Sequence, residues 1–307
     1  MSEPLHILGG GSVGLLWAAR FAQAGVQCRL ILRTPQAAAE WQARDNRLIL
    51  EQQGTRHALQ VPCELADAPS PIHHLIVATK AWATAEAVDQ IAPRLRDSSQ
   101  LLLLQNGLGS QQAVSAGFPA QQVLYASVTD GAWKRAANHV VWAGIGQTLI
   151  GDPHPRPAPA WLSLLSQANI VWQWESDILT VLWLKLAVNC AINPITALHD
   201  CPNGEVVERA GQSFAPLLAE LHALLTSQGV HMSLAELQQR ILQVIQTTAA
   251  NSSSMRQDLR AGRRTEIDFI LGHAYRTARR EGLSTPTLDS LYRQLQTHLG
   301  QCGLPQD

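Results

Sequence analysis

Lys185, Asn189 and Asn193 recur every four residues in residues 178–193, which otherwise read as an almost unbroken apolar run, Ile-Leu-Thr-Val-Leu-Trp-Leu-Lys-Leu-Ala-Val-Asn-Cys-Ala-Ile-Asn. On a helix that spacing makes one polar stripe, drifting only about 40° per step. A lysine in apolar surroundings must find a partner or lose its charge, and desolvation lowers an ammonium pKa from its ordinary ~10.4. Such an amine suits proton donation to an oxygen where negative charge develops, as on a ketone accepting a hydride. Asn189 and Asn193 would hold other substrate oxygens without burying further charge. Two blander readings stand beside this one: a plain solvent face, and Asn193 as a helix terminator before Pro194. A solvent face would carry several charges of both signs, and two asparagines are poor helix formers, so the functional stripe is favoured.

An acid to balance the lysine is available in Arg264-Thr265-Glu266-Ile267-Asp268. Periodicity alone favours Glu266 as a surface ion-pair residue, although it precedes an apolar stretch and could point inward. Upstream, Asn251-Ser252-Ser253-Ser254-Met255 has the composition of a helix start with serine as N-cap. The same hydroxyls could bind a carboxylate at the helix N-terminus.

At the other end of the chain, Gly9-Gly10-Gly11-Ser12-Val13-Gly14 satisfies G-x-G-x-x-G between a strand-like Leu5-His6-Ile7-Leu8 and a helical segment. In that context the first glycine makes the tight turn and the second lets the backbone approach a pyrophosphate. The third packs the helix on the sheet, and amides at the helix start face the phosphates. The alternative is a structural glycine turn. The second strand ends at Arg33, in Leu32-Arg33-Thr34-Pro35, where NAD-binding chains place an acid for the ribose hydroxyl. A guanidinium can instead bind a 2′-phosphate with two parallel hydrogen bonds, so NADP(H) is favoured over NAD, against the reading of an exposed loop residue. Lys80 and Asn106 follow further strand-like runs, at strand ends where open α/β sheets bind ligands. A solvated lysine and a simple Asn106-Gly107 turn are the alternatives.

The elements that must carry these residues divide the chain. Residues 14–24 read as a helix, 28–32, 75–78 and 101–104 as buried strands, and 82–95 as a helix with Pro93 near its end. Residues 140–142 and 147–150 read as a hairpin or edge pair. A run with four prolines in eight residues, Asp152 to Pro159, must be a surface connection. Residues 160–167 (helix) and 170–174 (strand) complete an N-terminal Rossmann-type α/β domain, 1–174, with a doubly wound sheet. Beyond it strand signals fade. Residues 179–192, 211–227, 233–249 and 254–280 have helical length and spacing, giving an all-α C-terminal domain, 175–307.

Composition excludes several classes. Net charge is −1, and the arginines of 256–264 and 276–280 are interleaved with acids, which reads as a solvated helix face and not a nucleic-acid surface. The five cysteines are scattered without C-x-x-C and the eleven histidines hold no H-E-x-x-H, so neither disulfide framework nor metal site is expected. His73-His74 is read as the opening of a strand. The start, Met1-Ser2-Glu3-Pro4, has no signal-peptide pattern, and no run of 18 or more residues is continuously apolar. A cytoplasmic protein with a small-molecule partner, no nucleic acid and no membrane is expected. Monomer and homodimer are both compatible with the sequence.

Over most of its length the chain resembles the ketopantoate reductase (2-dehydropantoate 2-reductase) family. The likeness is carried by Leu8 to Gly14, Leu32 to Pro35, Thr79-Lys80-Ala81-Trp82 and Gln105-Asn106-Gly107-Leu108-Gly109. It continues through Leu184 to Pro194, Cys201-Pro202-Asn203-Gly204-Glu205, Ser253 to Asp258 and Thr265-Glu266-Ile267-Asp268. The run K-x-x-x-N-x-x-x-N-P with S-S-M-x-Q-D and T-E-I-D is far more specific than the glycine motif. The resemblance implies an active site between a Rossmann-type and a helical domain, with NADPH reducing a 2-oxo acid to D-pantoate. Lys185 would be general acid to the ketone, and Glu266 would lie near cofactor and substrate, against the periodicity. Asn106, Asn189, Asn193, Asn203 and Ser254 would contact substrate or cofactor, and Arg33 and Lys80 would hold the phosphate end. The pattern departs at Val128-Thr129-Asp130-Gly131-Ala132-Trp133, where the family carries a T-H-A-A-like run and Ala132 would be the cofactor contact. Competing readings are a related oxidoreductase of another 2-oxo or 3-hydroxy acid, and a non-catalytic NADPH-binding sensor.

Overall fold

A computed structural model describes residues 4–307, so the first three residues of the expected N-terminal reading lie outside the described residues. The chain forms two compact units: one runs to Gln105 and resumes over Ser110–Leu179, and the other comprises Asn106–Gly109 and Thr180–Asp307.

In the first unit, β1 (Leu5–Leu8), α1 (Ser12–Gln23) and β2 (Cys28–Ile31) form the opening βαβ unit, and α2 (Pro35–Gln42) follows with Thr34 capping it. A hairpin of β3 (Arg47–Gln52) and β4 (Thr55–Gln60) then precedes the short β5 (Cys63–Glu64). β6 (Ile72–Val77), α3 (Ala81–Ile91), β7 (Leu95–Leu103), α4 (Ser110–Gly117) and β8 (Gln122–Val128) continue the alternation. After them come β9 (Gly131–Ala136), β10 (His139–Gly144), β11 (Thr148–Gly151), α5 (Ser163–Gln167) and β12 (Trp172–Trp174). The eight-stranded sheet has the order β12-β11-β8-β7-β6-β1-β2-β5. β1 therefore lies between β2 and β6, parallel to both, with Leu8 opposite Ile31 on one side and Val77 on the other. The order reverses at β1 and β6, and ligands of doubly wound sheets bind at such a reversal.

A second sheet, β4-β3-β10-β9, was not expected from the sequence. Helix α1 touches β1 and β2 on one side and β3, β9 and β10 on the other, which is why Gly14 to Phe21 are all buried. Trp17 and Phe21 fill that layer edge to face, at 6.4 Å between ring centroids. Arg20 is buried there too, stacked 4.3 Å over Trp142 and 3.7 Å from Asp130. The expected pairing of 140–142 with 147–150 is corrected: β10 pairs with β9 and β3, and β11 with β8 and β12. The connector cannot close a hairpin because its amides are taken elsewhere, Gly146 by Asp130 at 3.0 Å and Gln147 by Thr129 at 2.8 Å. The helix expected over 82–95 ends at Ile91, and Pro93 directs a short 3-10 turn, Ala92–Arg94, into β7.

The second unit is helical throughout: α6 (Ile178–Leu198), α7 (Val206–Ala210), α8 (Phe214–Ser227), α9 (Leu234–Thr247), α10 (Ser254–Arg260), α11 (His273–Arg280) and α12 (Pro286–Gln301). Helix α6 has the length and mean hydropathy, 1.6, to cross a membrane. Here it is a core helix, with Trp183, Leu186 and Cys190 meeting Leu221, Leu224 and Leu225 of α8 and Ala274 of α11. It does not stop at Asn193. Pro194 lies inside it, since burial of Ile192, Ile195 and Ala197 outweighs the local cost, and Thr196 donates to the Asn193 carbonyl at 2.9 Å. The single helix expected over 254–280 is interrupted: Gly262 turns at φ +62°, and a π-turn, Asp268–Gly272, precedes α11. Helix α12 was not foreseen; the Glu220 carboxylate of α8 caps its start by accepting from Thr287 at 2.9 Å and Leu288 at 2.8 Å.

Candidate active site

The first unit gathers its candidate residues, Ala132 on β9 apart, at the carboxyl ends of β1, β2 and β6. Gly9 turns at φ +112°, and a Cβ there would sit 3.0 Å from the Ala78 backbone at the end of β6. A side chain at Gly14 would overlap the Gly9 carbonyl. Only glycine lets this turn fold back on its own helix. Gly10 faces Leu32, and Gly11 is the N-cap of α1 without a side-chain hydrogen bond, so the helix begins on bare backbone through Ser12 and Val13. A dinucleotide pyrophosphate fits such a cradle, because the helix start presents amides and a positive dipole end. Gly9, Gly10, Leu32, Arg33, Thr79 and Glu86 line one depression beside it, with Arg33 exposed at its rim. Lys80 is the N-cap residue of α3, half-buried at the end of β6. Ala132 lies on β9, half-buried and packed against the first unit's core.

Lys134, also on β9, escaped the sequence reading. Its Nζ donates to the Gly10 carbonyl at 2.9 Å, tying the small sheet to the glycine turn. The two residues are 124 positions apart in no shared motif, so only the fold reveals the contact.

The second unit brings together Lys185, Glu266 and the asparagine stripe. Glu266 is buried at 6% exposure, which corrects the surface role that periodicity favours. Thr265 and Ile267 on either side are buried as well, so the segment enters the core as an irregular approach to the π-turn, and helical spacing does not describe it. Burial pushes the Lys185 amine down to about 8, and the Glu266 carboxylate acts in the opposite direction. An ammonium with that pKa is still largely protonated at neutral pH yet releases its proton readily. Asn189 is half-buried and Asn193 buried on the same helix.

Asn203 and Ser254 occupy the neighbouring turns. Asn203 is buried; its side-chain Nδ2 donates to the Thr248 hydroxyl at 2.9 Å and its backbone N–H to the Asn251 carbonyl at 3.0 Å. Among the described residues its Oδ1 has no hydrogen-bond partner. Ser253, and not Ser254, caps α10: its Oγ accepts from the Arg256 amide at 3.1 Å and lies 2.7 Å from Thr196 of α6. Ser254 is left exposed at the first helical position. Asn106 is half-buried in a loop that packs with this unit, where Leu108 donates to the Phe269 carbonyl at 2.9 Å.

A glycine turn at the reversal of a doubly wound sheet, in a chain whose second unit holds a low-pKa lysine against a buried acid, defines a dinucleotide-binding fold of the oxidoreductase kind. Residues 5–155 match the family described as Ketopantoate reductase PanE/ApbA, and residues 177–298 match Ketopantoate reductase PanE/ApbA C terminal. The chain belongs to the ketopantoate reductase family. It is 35% identical over 297 residues to a 2-dehydropantoate 2-reductase of Vibrio cholerae, covering 95% of this chain and 96% of that protein. It is 30% identical over 309 residues to one of Archaeoglobus fulgidus, covering 97% and 99%. A PanE/ApbA family ketopantoate reductase from Ralstonia eutropha superposes with a TM-score of 0.88 at 26% identity, covering 98% of this chain and 100% of that one. D-Mandelate dehydrogenase, solved with NADH and anilino(oxo)acetate, shares the fold at a TM-score of 0.90 and 19% identity, over 98% and 100% of the two chains.

Proposed function

We propose that this chain reduces 2-dehydropantoate to D-pantoate at the expense of NADPH, in the cytoplasm, with Lys185 as general acid. The observation that carries the reading is the placement of Lys185, Asn189 and Asn193 along one core helix in the same unit as buried Glu266. NADPH, when bound, would supply the hydride. In this reading residues 1–174 hold the cofactor and 175–307 the substrate and the acid. Gly9, Gly10, Gly11, Ser12, Val13 and Gly14 would cradle the pyrophosphate, and Arg33 and Lys80 would neutralise the 2′-phosphate end. Ala132 would bound the cofactor from β9, and Glu266 and Asn106 would reach both cofactor and substrate.

The substrate is a small 2-oxo acid with a carboxylate, a ketone and a hydroxyl. The Lys185 ammonium would donate its proton to the ketone oxygen as that atom becomes an alkoxide, where a fixed positive group stabilises developing charge most. Asn189, Asn193 and Asn203 offer neutral amides to the other oxygens, and the Ser254 hydroxyl stands at a helix start suited to a carboxylate. The deciding experiment is NADPH consumption by the purified chain with 2-dehydropantoate, beside pyruvate, 2-oxoisovalerate and acetolactate. 2-Dehydropantoate should give the highest kcat/KM. A chain that oxidises NADPH with another of these acids but not with 2-dehydropantoate would have a different substrate, and one inert to all four would not be this enzyme.

A further inference from the structure

Five of the candidate residues sit on three separate stretches: Asn106 on a loop, Lys185, Asn189 and Asn193 on α6, and Glu266 ahead of α11. The π-turn Asp268–Gly272 begins two residues after Glu266 and is bonded to both other stretches. Its Phe269 carbonyl accepts the Leu108 amide at 2.9 Å, and its Ile270 carbonyl accepts the thiol of Cys190, the neighbour of Asn189, at 3.7 Å. Carbonyls in a π-turn are displaced from the regular ladder, so partners from outside the helix can reach them, and such turns recur at functional positions.

The loop is shaped for this seat. Gly107 turns at φ +78°, and a Cβ there would overlap the Phe269 carbonyl. Gly109 turns at φ +107°, and a Cβ there would lie 3.2 Å from the His273 ring. That ring packs on Trp183 of α6, at 5.4 Å between centroids, and burial pushes it down to about 4, so it meets the loop uncharged. The turn is pinned from behind, where Asp268 accepts from Arg276 and, at 3.0 Å, from Tyr292.

We propose that this π-turn is the positioning element of the substrate side: its Phe269 carbonyl, reached through Gly107, fixes Asn106, and its Ile270 carbonyl holds the Asn189 turn of α6. Gly107, Phe269 and His273 are then positioning residues that act through Asn106. The inference rests on the reading of Asn106 as a ligand contact. Misplacing a positioned group by about 1 Å costs on the order of a hundredfold, so Gly107→Ala should lower kcat/KM for 2-dehydropantoate by about that factor. Because it acts through Asn106, Gly107→Ala should cost almost nothing further in an Asn106→Ala background, whereas independent effects would multiply. Multiplying losses overturn the proposal. Should Gly107→Ala fold poorly, His273→Ala removes the ring beside Gly109 without touching the backbone, and the same cycle with Asn106→Ala applies. Hydrogen exchange at the Leu108 amide reads the seat without turnover: protected in the natural chain and accelerated in Gly107→Ala. An unprotected amide in the natural chain overturns the seat. A protected amide in a chain that leaves 2-dehydropantoate untouched upholds the seat and overturns the proposed activity instead.

Discussion

In the first unit the candidate residues are defined by what they lack. Gly9 and Gly14 leave room for backbone against backbone, and the charged contributors stand just beyond strand ends, Arg33 exposed and Lys80 half-buried. In the second unit they are defined by what they carry into the interior, a lysine and a carboxylate on buried segments with neutral amides beside them. The difference follows from the two tasks. A cofactor diphosphate is bound by amides and dipoles that any backbone supplies once side chains are out of the way. Proton delivery needs one titratable group whose pKa is set by its surroundings, and that requires burial.

Lys185→Ala tests the contrast most severely. It should lower kcat by about 10²–10⁴-fold, the usual worth of a general acid, while NADPH affinity from a fluorescence titration stays nearly unchanged. A parallel loss of NADPH affinity would mean that the two units do not divide the work. Arg33→Ala should do the reverse, with a smaller effect. Losing a charge-assisted hydrogen bond of about 1.5–3 kcal/mol should weaken NADPH by roughly ten- to a hundredfold and leave NADH binding as it was. Equal weakening of both cofactors would remove Arg33 from the 2′-phosphate.

The smallest effect is a displacement on the pH axis. Only the protonated amine donates, so kcat for reduction should hold at lower pH and fall as pH rises through about 8. The Glu266 carboxylate raises the lysine pKa, so Glu266→Gln should move that falling limb to lower pH. A limb that stays in place would detach Glu266 from the lysine's titration.

The sequence alone determined the parts whose meaning is local. The glycine turn is bounded by its own strand and helix, and the K-x-x-x-N-x-x-x-N stripe is set by helical geometry, so both were legible at their own positions. Helical spacing failed where the chain is not a regular helix: it put Glu266 at the surface, joined 254–280 into one rod and ended α6 at Asn193. Tertiary structure decided the remainder. It built the second sheet from segments nearly a hundred residues apart, set Lys134 on the Gly10 carbonyl, and packed Asn106–Gly109 with the helical unit. Each of those depends on a close approach between distant backbones, and a contact energy between residues far apart in sequence leaves no periodic trace in either segment.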